Sequence, residues 1–270
     1  MKDIIIVGGG PAGLSAAITA VQRNHSVTII SNDRTKSGLY RAPKVENYPG
    51  LPGVSGPDLL DRMVSHAETA GVEIVLGHVI SILPAGNVIN VSYGADFAES
   101  RSVIIAAGIS QSSLFPGEED LLGRGVSYCA TCDGMLFRGK RVCVVCLTPH
   151  AEEEADYLAS IGCDVVRVYS NKVVINGSSN VTSISADGEE IVCSGVFVLR
   201  HTVAPHLLLP GLDTVNGHIA ADASGKTNVP GVFAAGDCVG TPYQIAKATG
   251  QGLTAALSAS EYVKNIKSAV

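Results

Sequence analysis

Short β-branched runs recur along this chain, most of them ending in small residues, with helical periods between. Ile4-Ile5-Ile6-Val7 reads as a buried strand, followed by a helix from Leu14 to about Arg23 and a second strand at Val27-Thr28-Ile29-Ile30. An amphipathic cover helix is expected over 58–70, closed by Gly71. Val72 to Ile82 reads as two strands or one bent one, and Val88–Val91 with Arg101–Ala107 as a small antiparallel layer. Ser102 to Gly108 is a buried strand whose small-residue end fits close approach to a ligand. The pattern then restarts: strand Arg141–Val145, helix about His150–Ile161, strand Val165–Tyr169. This second βαβ unit makes an internal structural repeat. Short strands follow at Val173–Ile175, Val181–Ser185, Glu190–Cys193 and Gly195–Leu199. A strand over Asn228–Asp237, ending in Gly-Asp, and a small-residue helix over 245 to about 263 close the chain. The fold class is α/β, with two Rossmann-like, three-layer ββα domains.

The first strand runs straight into Gly8-Gly9-Gly10-Pro11-Ala12-Gly13, a G-x-G-x-x-G that follows a strand and opens a helix. Gly8 allows the tight turn, Gly10 lets backbone approach a pyrophosphate, and Gly13 lets helix pack on strand. The helix N-terminus faces the phosphates. After the second strand a ribose-binding acid is expected, but Ser31, Asn32 and Asp33 stand there, and Asn32 can still bond a ribose hydroxyl. The second βαβ unit lacks the fingerprint: Cys146, Thr148 and Ala151 replace its glycines, and Tyr169-Ser170-Asn171 ends its second strand without arginines. Asp237, at a strand end, can accept from a polyol or cap a turn.

Cys129-Ala130-Thr131-Cys132-Asp133 is a C-x-x-C followed by a carboxylate, which reads first as a redox dithiol and second as half of a metal site. Cys143 and Cys146 are also three apart, but strand alternation turns them to opposite faces. Packing is the expected role of Cys143, Cys146, Cys163 and Cys193, which sit in strand patterns. Cys238 packs or is reactive beside Asp237.

Seven cysteines are not spaced as a secreted framework. Net charge is −6 without a basic run, so nucleic acid and anionic membranes are not expected partners. No apolar run spans a bilayer. Met1-Lys2-Asp3 enters a strand without a signal peptide, so the expected compartment is the cytoplasm.

Four stretches carry a resemblance: Gly8 to Leu14, Val45-Glu46-Asn47-Tyr48-Pro49-Gly50, Gly123 to Asp133, and Pro230 to Asp237. Together they resemble the low-molecular-weight thioredoxin reductase family. The resemblance implies an FAD-binding domain, 1–113 with 204–270, and an inserted redox domain, 114–203, with a degenerate NADPH-binding fold. It implies FAD at Gly8, Gly10, Pro11, Ala12, Gly13, Asn47, Gly236 and Asp237, with Gln244 and Ile245 near the flavin ring. Ser31, Asn32, Leu39, Val79, Ala107 and Gly108 complete the expected cofactor set, and no metal is expected. By the same resemblance Cys132 faces the flavin, Cys129 attacks the partner disulfide and Asp133 supplies a proton. A homodimer is also implied.

The departures cluster on nicotinamide binding. The second glycine turn and the His-Arg-Arg after its second strand are missing, Tyr243 replaces an arginine, and Lys36-Ser37-Gly38-Leu39 replaces Gly-Gly-Gln-Leu. This pattern resembles the pyridine-nucleotide-independent subgroup, the ferredoxin-dependent flavin thioredoxin reductases. Electrons would pass from reduced ferredoxin through FAD and the Cys129–Cys132 dithiol to thioredoxin. An acidic ferredoxin would need a local basic patch, for which Lys36, Arg41, Lys44, Arg138, Lys140 and Arg141 are candidates. Alternatives are an NADPH-dependent thioredoxin reductase, a flavin disulfide oxidoreductase or thiol oxidase with another donor, including a second flavin, and a flavin-binding regulatory module.

Overall fold

The computed structural model describes residues 1–108, 114–128, 130–148, 150–199 and 205–268. The chain divides into two compact units, Met1–Ser110 with Ala204–Val270, and Gln111–Val203.

The first unit opens with β1 (Lys2–Val7), α1 (Pro11–Val21), β2 (Val27–Ser31) and α2 (Gly56–Thr69). The region read as two strands or one bent one is two: β3 (Glu73–Leu76) and β4 (Val79–Ala85), followed by β5 (Val88–Tyr93) and β6 (Asp96–Ile105). β6 is long because it joins the antiparallel and parallel parts of one sheet. Its first half pairs antiparallel with β5, up to Ser100 opposite Ile89. Its second half runs parallel to β1, from Ser100 opposite Lys2 to Ile105 opposite Val7.

The second unit holds β7 (Val126–Ser127), the four-residue helix α3 (Ala130–Asp133), β8 (Arg141–Cys146), α4 (His150–Ser160) and β9 (Asp164–Val168). An antiparallel layer of β10 (Val173–Gly177), β11 (Val181–Ala186) and β12 (Glu189–Val192) follows, then β13 (Gly195–Leu199). The main sheet has the order β7-β13-β8-β9 and is parallel throughout. β13 is buried on both faces, which accounts for its unbroken apolar run. Ala130 of α3, Val142, Val144, Leu158 and Phe197 share one core, and Phe137 meets Phe197 edge-on at 5.4 Å.

The chain then returns to the first unit through the hairpin β14 (Thr214–Val215) and β15 (His218–Ile219), β16 (Val232–Ala234) and α5 (Ile245–Ser268). β16 pairs parallel with β6 and completes the order β3-β2-β1-β6-β5-β4 as a seventh strand. Only Val232–Ala234 of the 228–237 stretch is strand. α1 begins at Pro11, three residues before the expected start, because proline suits the first helical position. α5 runs past the expected end near Val263, because Lys267 reaches the buried Asp3 carboxylate at 2.8 Å. Burial alone would raise the Asp3 carboxyl, but hydrogen bonds from Lys267 and the Ser26 N–H hold it below the usual carboxylate range.

α1 and α5 meet through small residues: Ala12, Gly13, Ala16, Ala17 and Ala20 on one, Ala248, Gly252, Ala255, Ala256 and Ala259 on the other. A Cβ at Gly252 would lie 2.1 Å from the Ala12 carbonyl oxygen, so the helices touch backbone to backbone. The Ser15 hydroxyl donates across the contact to the Thr249 carbonyl at 2.8 Å.

Gly252→Ala is therefore expected to destabilise the protein by about 1–3 kcal/mol through overpacking against backbone that cannot yield. Gly250→Ala, whose Cβ meets nothing within 4 Å, should stabilise it by up to ~1 kcal/mol through helix propensity. Denaturant unfolding of the two variants would show opposite shifts; equal shifts would remove the role given to the helix contact.

Candidate functional site

Three parallel strands of the first unit end side by side, with Val7 of β1 and Ala234 of β16 both registered on Ile105 of β6. The carboxyl ends of strands in open α/β sheets are where ligands bind. From this edge leave the three small-residue segments noted above: Gly8–Gly13, Ala106–Gly108 and Ala235–Asp237. The Ala106 N–H donates to the Val7 carbonyl at 2.8 Å and the Ala235 N–H to Ile105 at 3.0 Å, so the sheet pairing continues into the segments.

The glycines differ in what they do. Gly8 has φ +109°, and a Cβ there would lie 2.4 Å from the Ala106 oxygen. A Cβ at Gly13 would lie 1.9 Å from the Gly8 oxygen. Both are required by packing. Gly10 is different: a Cβ there would meet nothing within 4 Å. It caps α1 without a side-chain hydrogen bond, Pro11 follows, and no acidic residue stands in the first turn. An uncapped helix N-terminus behind an open glycine suits a phosphate.

Ser31 and Asn32 stand at the end of β2. The Gly9 N–H donates to Ser31 Oγ at 3.0 Å, which ties Ser31 to the glycine turn. Asn32 Oδ1 lies 3.3 Å from His78 Nδ1, and His78 brings the neighbouring Val79, buried at the start of β4, to the same strand end. Asn47 Nδ2 donates to Gln244 Oε1 at 2.5 Å, joining two expected cofactor residues 197 positions apart. Ile245 begins α5, half-buried. Leu39 is half-buried against the unit's core. Gly108 has φ +69° and open space at its Cβ position.

Asp237 carries a further mark. Its Oδ1 is buried with no hydrogen-bond partner among the described residues. Burial raises its carboxyl above the usual range, with the Lys247 charge pulling the other way. A buried polar atom in that state calls for a donor, and a ribose hydroxyl is one. Together with the open Gly10 and the uncapped α1, this fits a dinucleotide cofactor.

Two residues that hold this turn escaped sequence reasoning. Lys247 Nζ donates to the carbonyls of Gly236 and Gly240, and Gln251 Oε1 accepts from the Gly236 N–H at 3.0 Å. Their signal is a polar i, i+4 pair beside the small-residue stripe of α5.

In the second unit Cys129 lies outside the described residues. Cys132 belongs to the α3 turn, whose Ala130 is fully buried. The Ser127 hydroxyl donates to Asp133 Oδ2 at 2.7 Å. The Ala130 N–H donates to Glu154 Oε2 of α4 at 2.8 Å. Glu118, fully buried, accepts from Tyr128 Oη at 3.0 Å and from the Phe115 N–H at 2.8 Å. Thus the residue preceding Cys129 is anchored, and so is the turn after it.

Where a second glycine turn would sit, α4 carries Glu152 and Glu153 in its first turn. Glu152 bonds Arg167 Nε at 3.0 Å, and Asp156 takes another nitrogen of the same guanidinium. Burial, then the Glu152 charge, pushes the Cys146 thiol up to about 11. The exposed Tyr169 phenol donates to Glu152 and is raised by that bond. Pro149 and 200–204 lie outside the described residues.

The remaining described cysteines are free. Cys143 is buried, and Cys146, on the other face of β8, packs against the core of Val142 and Val144. Cys163 and Cys193 are not in strands as expected; each lies one residue outside, before β9 and after β12, because turns place them there. The Cys143 thiol is raised by its hydrogen bond with Cys193 and by burial. Cys238 donates to the Ala235 and Ile105 carbonyls, and burial pushes it up to about 12. A thiol held there is not a nucleophile. Among the described residues no group of three or more His, Cys, Asp and Glu is placed to hold a metal, and no helix is long and apolar enough to cross a membrane.

The site thus defines a dinucleotide-binding α/β oxidoreductase with a Cys-x-x-Cys-Asp in its second unit. The family model for pyridine nucleotide-disulphide oxidoreductases matches residues 2–180 and 166–252. The thioredoxin reductase of Listeria innocua is 33% identical, over 99% of this chain and 96% of its own length. Two structures of a ferredoxin-flavin thioredoxin reductase from Clostridium acetobutylicum match with TM-scores of 0.82 and 0.87, at 40% and 36% identity, each over 98% of both chains. The chain belongs to the pyridine nucleotide-disulphide oxidoreductases and, among them, to the low-molecular-weight thioredoxin reductase family. These are FAD-binding enzymes, and FAD is the cofactor.

The buried Cys238 should resist alkylation in the native protein at pH 8, reacting at least ~1,000-fold more slowly than a free thiol, since so little of it is thiolate. Mass spectrometry after iodoacetamide treatment checks this; rapid native labelling of Cys238 would restore it as a reactive residue.

Proposed function

We propose that this protein reduces thioredoxin through FAD and the Cys129–Cys132 dithiol, and that it draws electrons from reduced ferredoxin and not from NADPH. The observation that carries the choice of donor is the first turn of α4. Where a Rossmann crevice offers glycines and helix amides to a pyrophosphate, this chain presents Glu152 and Glu153, with Glu152 bonded to Arg167 and Tyr169. Carboxylates there repel phosphates, and the Arg167 guanidinium is already occupied by Glu152 and Asp156. The likeness to ferredoxin-flavin thioredoxin reductase supports the same reading.

Bound FAD supplies a two-electron store between donor and dithiol. Gly10 and the α1 amides would take its pyrophosphate, Asp237 a ribose hydroxyl, and the Asn47–Gln244 pair would flank the ring. Cys129 attacks a thioredoxin disulfide, forming a mixed disulfide and releasing one thioredoxin thiolate. Cys132 then attacks Cys129 and frees the second thiolate. Asp133, oriented by Ser127, protonates a leaving thiolate. Of the candidate cations for ferredoxin, Lys44 and Arg141 are held in ion pairs with Glu46 and Asp164. Arg41 and Arg138 are exposed and make no ion pair among the described residues.

Two tests follow. Without oxygen, photoreduced ferredoxin should bleach the flavin and support thioredoxin reduction, while NADPH and NADH should neither bleach it nor give a binding heat. Rapid bleaching by NADPH would overturn the choice of donor. Cys132→Ser should trap a mixed disulfide through Cys129, and Asp133→Asn should slow turnover, by roughly 100-fold if it is the general acid, with FAD still bound. A trap that forms only in Cys129→Ser would reverse the cysteine assignment.

A further inference from the structure

Tyr243 and His218 form a hydrogen-bonded pair in the first unit, and the disulfide chemistry gives them no role. Tyr243 directly precedes Gln244, the residue that bonds Asn47 at the start of α5. His218 lies on β15, 25 residues earlier in the chain. Its Nε2 lies 2.8 Å from Tyr243 Oη, and its Nδ1 lies 2.9 Å from the Asn216 carbonyl oxygen. A carbonyl only accepts, so Nδ1 carries the hydrogen, and in the neutral ring Nε2 accepts from the Tyr243 hydroxyl. Both side chains reach water. Tyr243 is 43% exposed. His218 is half-buried at a partly open cavity of about 570 Å³, shared with Asn216, Asp222, Gly240 and Thr241. A phenol and an imidazole in series, open to solvent at one end and tied to Gln244 at the other, make a path for a proton. An arginine at position 243 could not, because a guanidinium keeps its protons.

We propose that the Tyr243–His218 pair relays protons from solvent to the flavin as electrons arrive from ferredoxin. The proposal rests on the ferredoxin reading above, in which the Asn47–Gln244 pair flanks the ring. A nicotinamide gives two electrons and a hydrogen together, as hydride. Two reduced ferredoxins give one electron each, become oxidised, and bring no hydrogen. The proton that accompanies the two electrons has to come from water through the protein. Protonated His218 donates from Nε2 to Tyr243 Oη while the Tyr243 hydrogen leaves toward the ring, and His218 then regains a proton from water. Each passage moves one proton inward and leaves both side chains as they began. The Nδ1–H stays on the Asn216 carbonyl throughout, which keeps the imidazole facing the phenol.

The test mixes FAD-loaded enzyme with photoreduced ferredoxin in stopped flow, without oxygen. Tyr243→Phe, which keeps the ring and loses the hydroxyl, and His218→Gly are each expected to slow flavin bleaching by about 100-fold, the low end of what a positioned proton donor contributes. Added imidazole should restore most of the rate in His218→Gly and none in Tyr243→Phe. Wild-type bleaching should be slower in deuterium oxide. His66→Gln, at an exposed histidine of α2, should match the wild type. Two readouts do not depend on turnover. Fluorescence titration should give wild-type FAD affinity in all three variants. Nitrogen NMR of the loaded wild type should show neutral His218 protonated at Nδ1, with Nε2 accepting a hydrogen bond. Should His218→Gly not fold, Tyr243→Phe carries the test. Variants that bleach at the wild-type rate, a wild type insensitive to deuterium, or the Nε2–H tautomer overturn the relay. Slowing that comes with weakened FAD binding and is not relieved by imidazole overturns it too, and leaves the pair a structural support. If ferredoxin does not bleach the wild type at all, the donor reading falls and this proposal with it.

Discussion

Three close approaches between a glycine and a carbonyl oxygen hold the cofactor unit in register. Side chains at Gly8, Gly13 and Gly252 would place a Cβ 2.4, 1.9 and 2.1 Å from the backbone oxygens of Ala106, Gly8 and Ala12. Such contacts cannot relax by a rotamer change, because both sides are main chain. The first two set the glycine turn against β6 and α1 against the turn. The third sets α5 against α1, and α5 carries Lys247 and Gln251, which hold the Gly236–Asp237 turn. The open N-terminus of α1 and the buried Asp237 oxygen are thus outcomes of one packing arrangement, so a change at Gly252, far from Gly10 in sequence, would disturb both.

The second unit repeats the strand–turn–helix architecture without that constraint. Cys146, Thr148 and Ala151 stand at the glycine positions, and the first turn of α4 is acidic. A helix N-terminus attracts carboxylates for the same reason it attracts phosphates. Glu152 and Glu153 meet that attraction from within the chain, and Glu152 also neutralises Arg167, the cation of β9. One fold thus provides two opposite answers to the same dipole.

Much of this was legible in the sequence. Gly8-x-Gly10-x-x-Gly13 between a β-branched run and a helix specifies strand, turn and helix, because each glycine answers a steric demand that the pattern itself implies. The repeat from Arg141 and the absence of its glycines were equally plain. The parts that were not legible depend on contacts between distant positions. Nothing near Ser100 announces that β6 leaves β5 there and takes β16 from Val103 onward. The extension of α5 to Ser268 depends on Lys267 finding Asp3, 264 residues earlier. Ser31 was placed by strand position, but its bond to the Gly9 N–H follows from the turn's geometry. Lys247 and Gln251 resembled ordinary polar helix residues. Cys163 and Cys193 fell outside their strands by a single residue, the scale on which strand ends are set by hydrogen bonding in the turn.

The surroundings of the dithiol turn follow from how a buried carboxylate is tolerated. Glu118 has no exposed surface, and a charge in that position requires donors. Tyr128 Oη and the Phe115 N–H both donate to it, so the residue before Cys129 is fixed by a group buried among the loop residues that precede it. Ala130, directly after Cys129, is fixed by Glu154, and Asp133 by Ser127. Each of these three carboxylates accepts from a donor in the segment 115–133. Hydrogen bonds of this kind orient a carboxylate without neutralising it. The residues on either side of Cys129 are therefore held in shape. Such anchoring is what the proposed Cys129–Cys132 dithiol would need in order to be presented in one geometry.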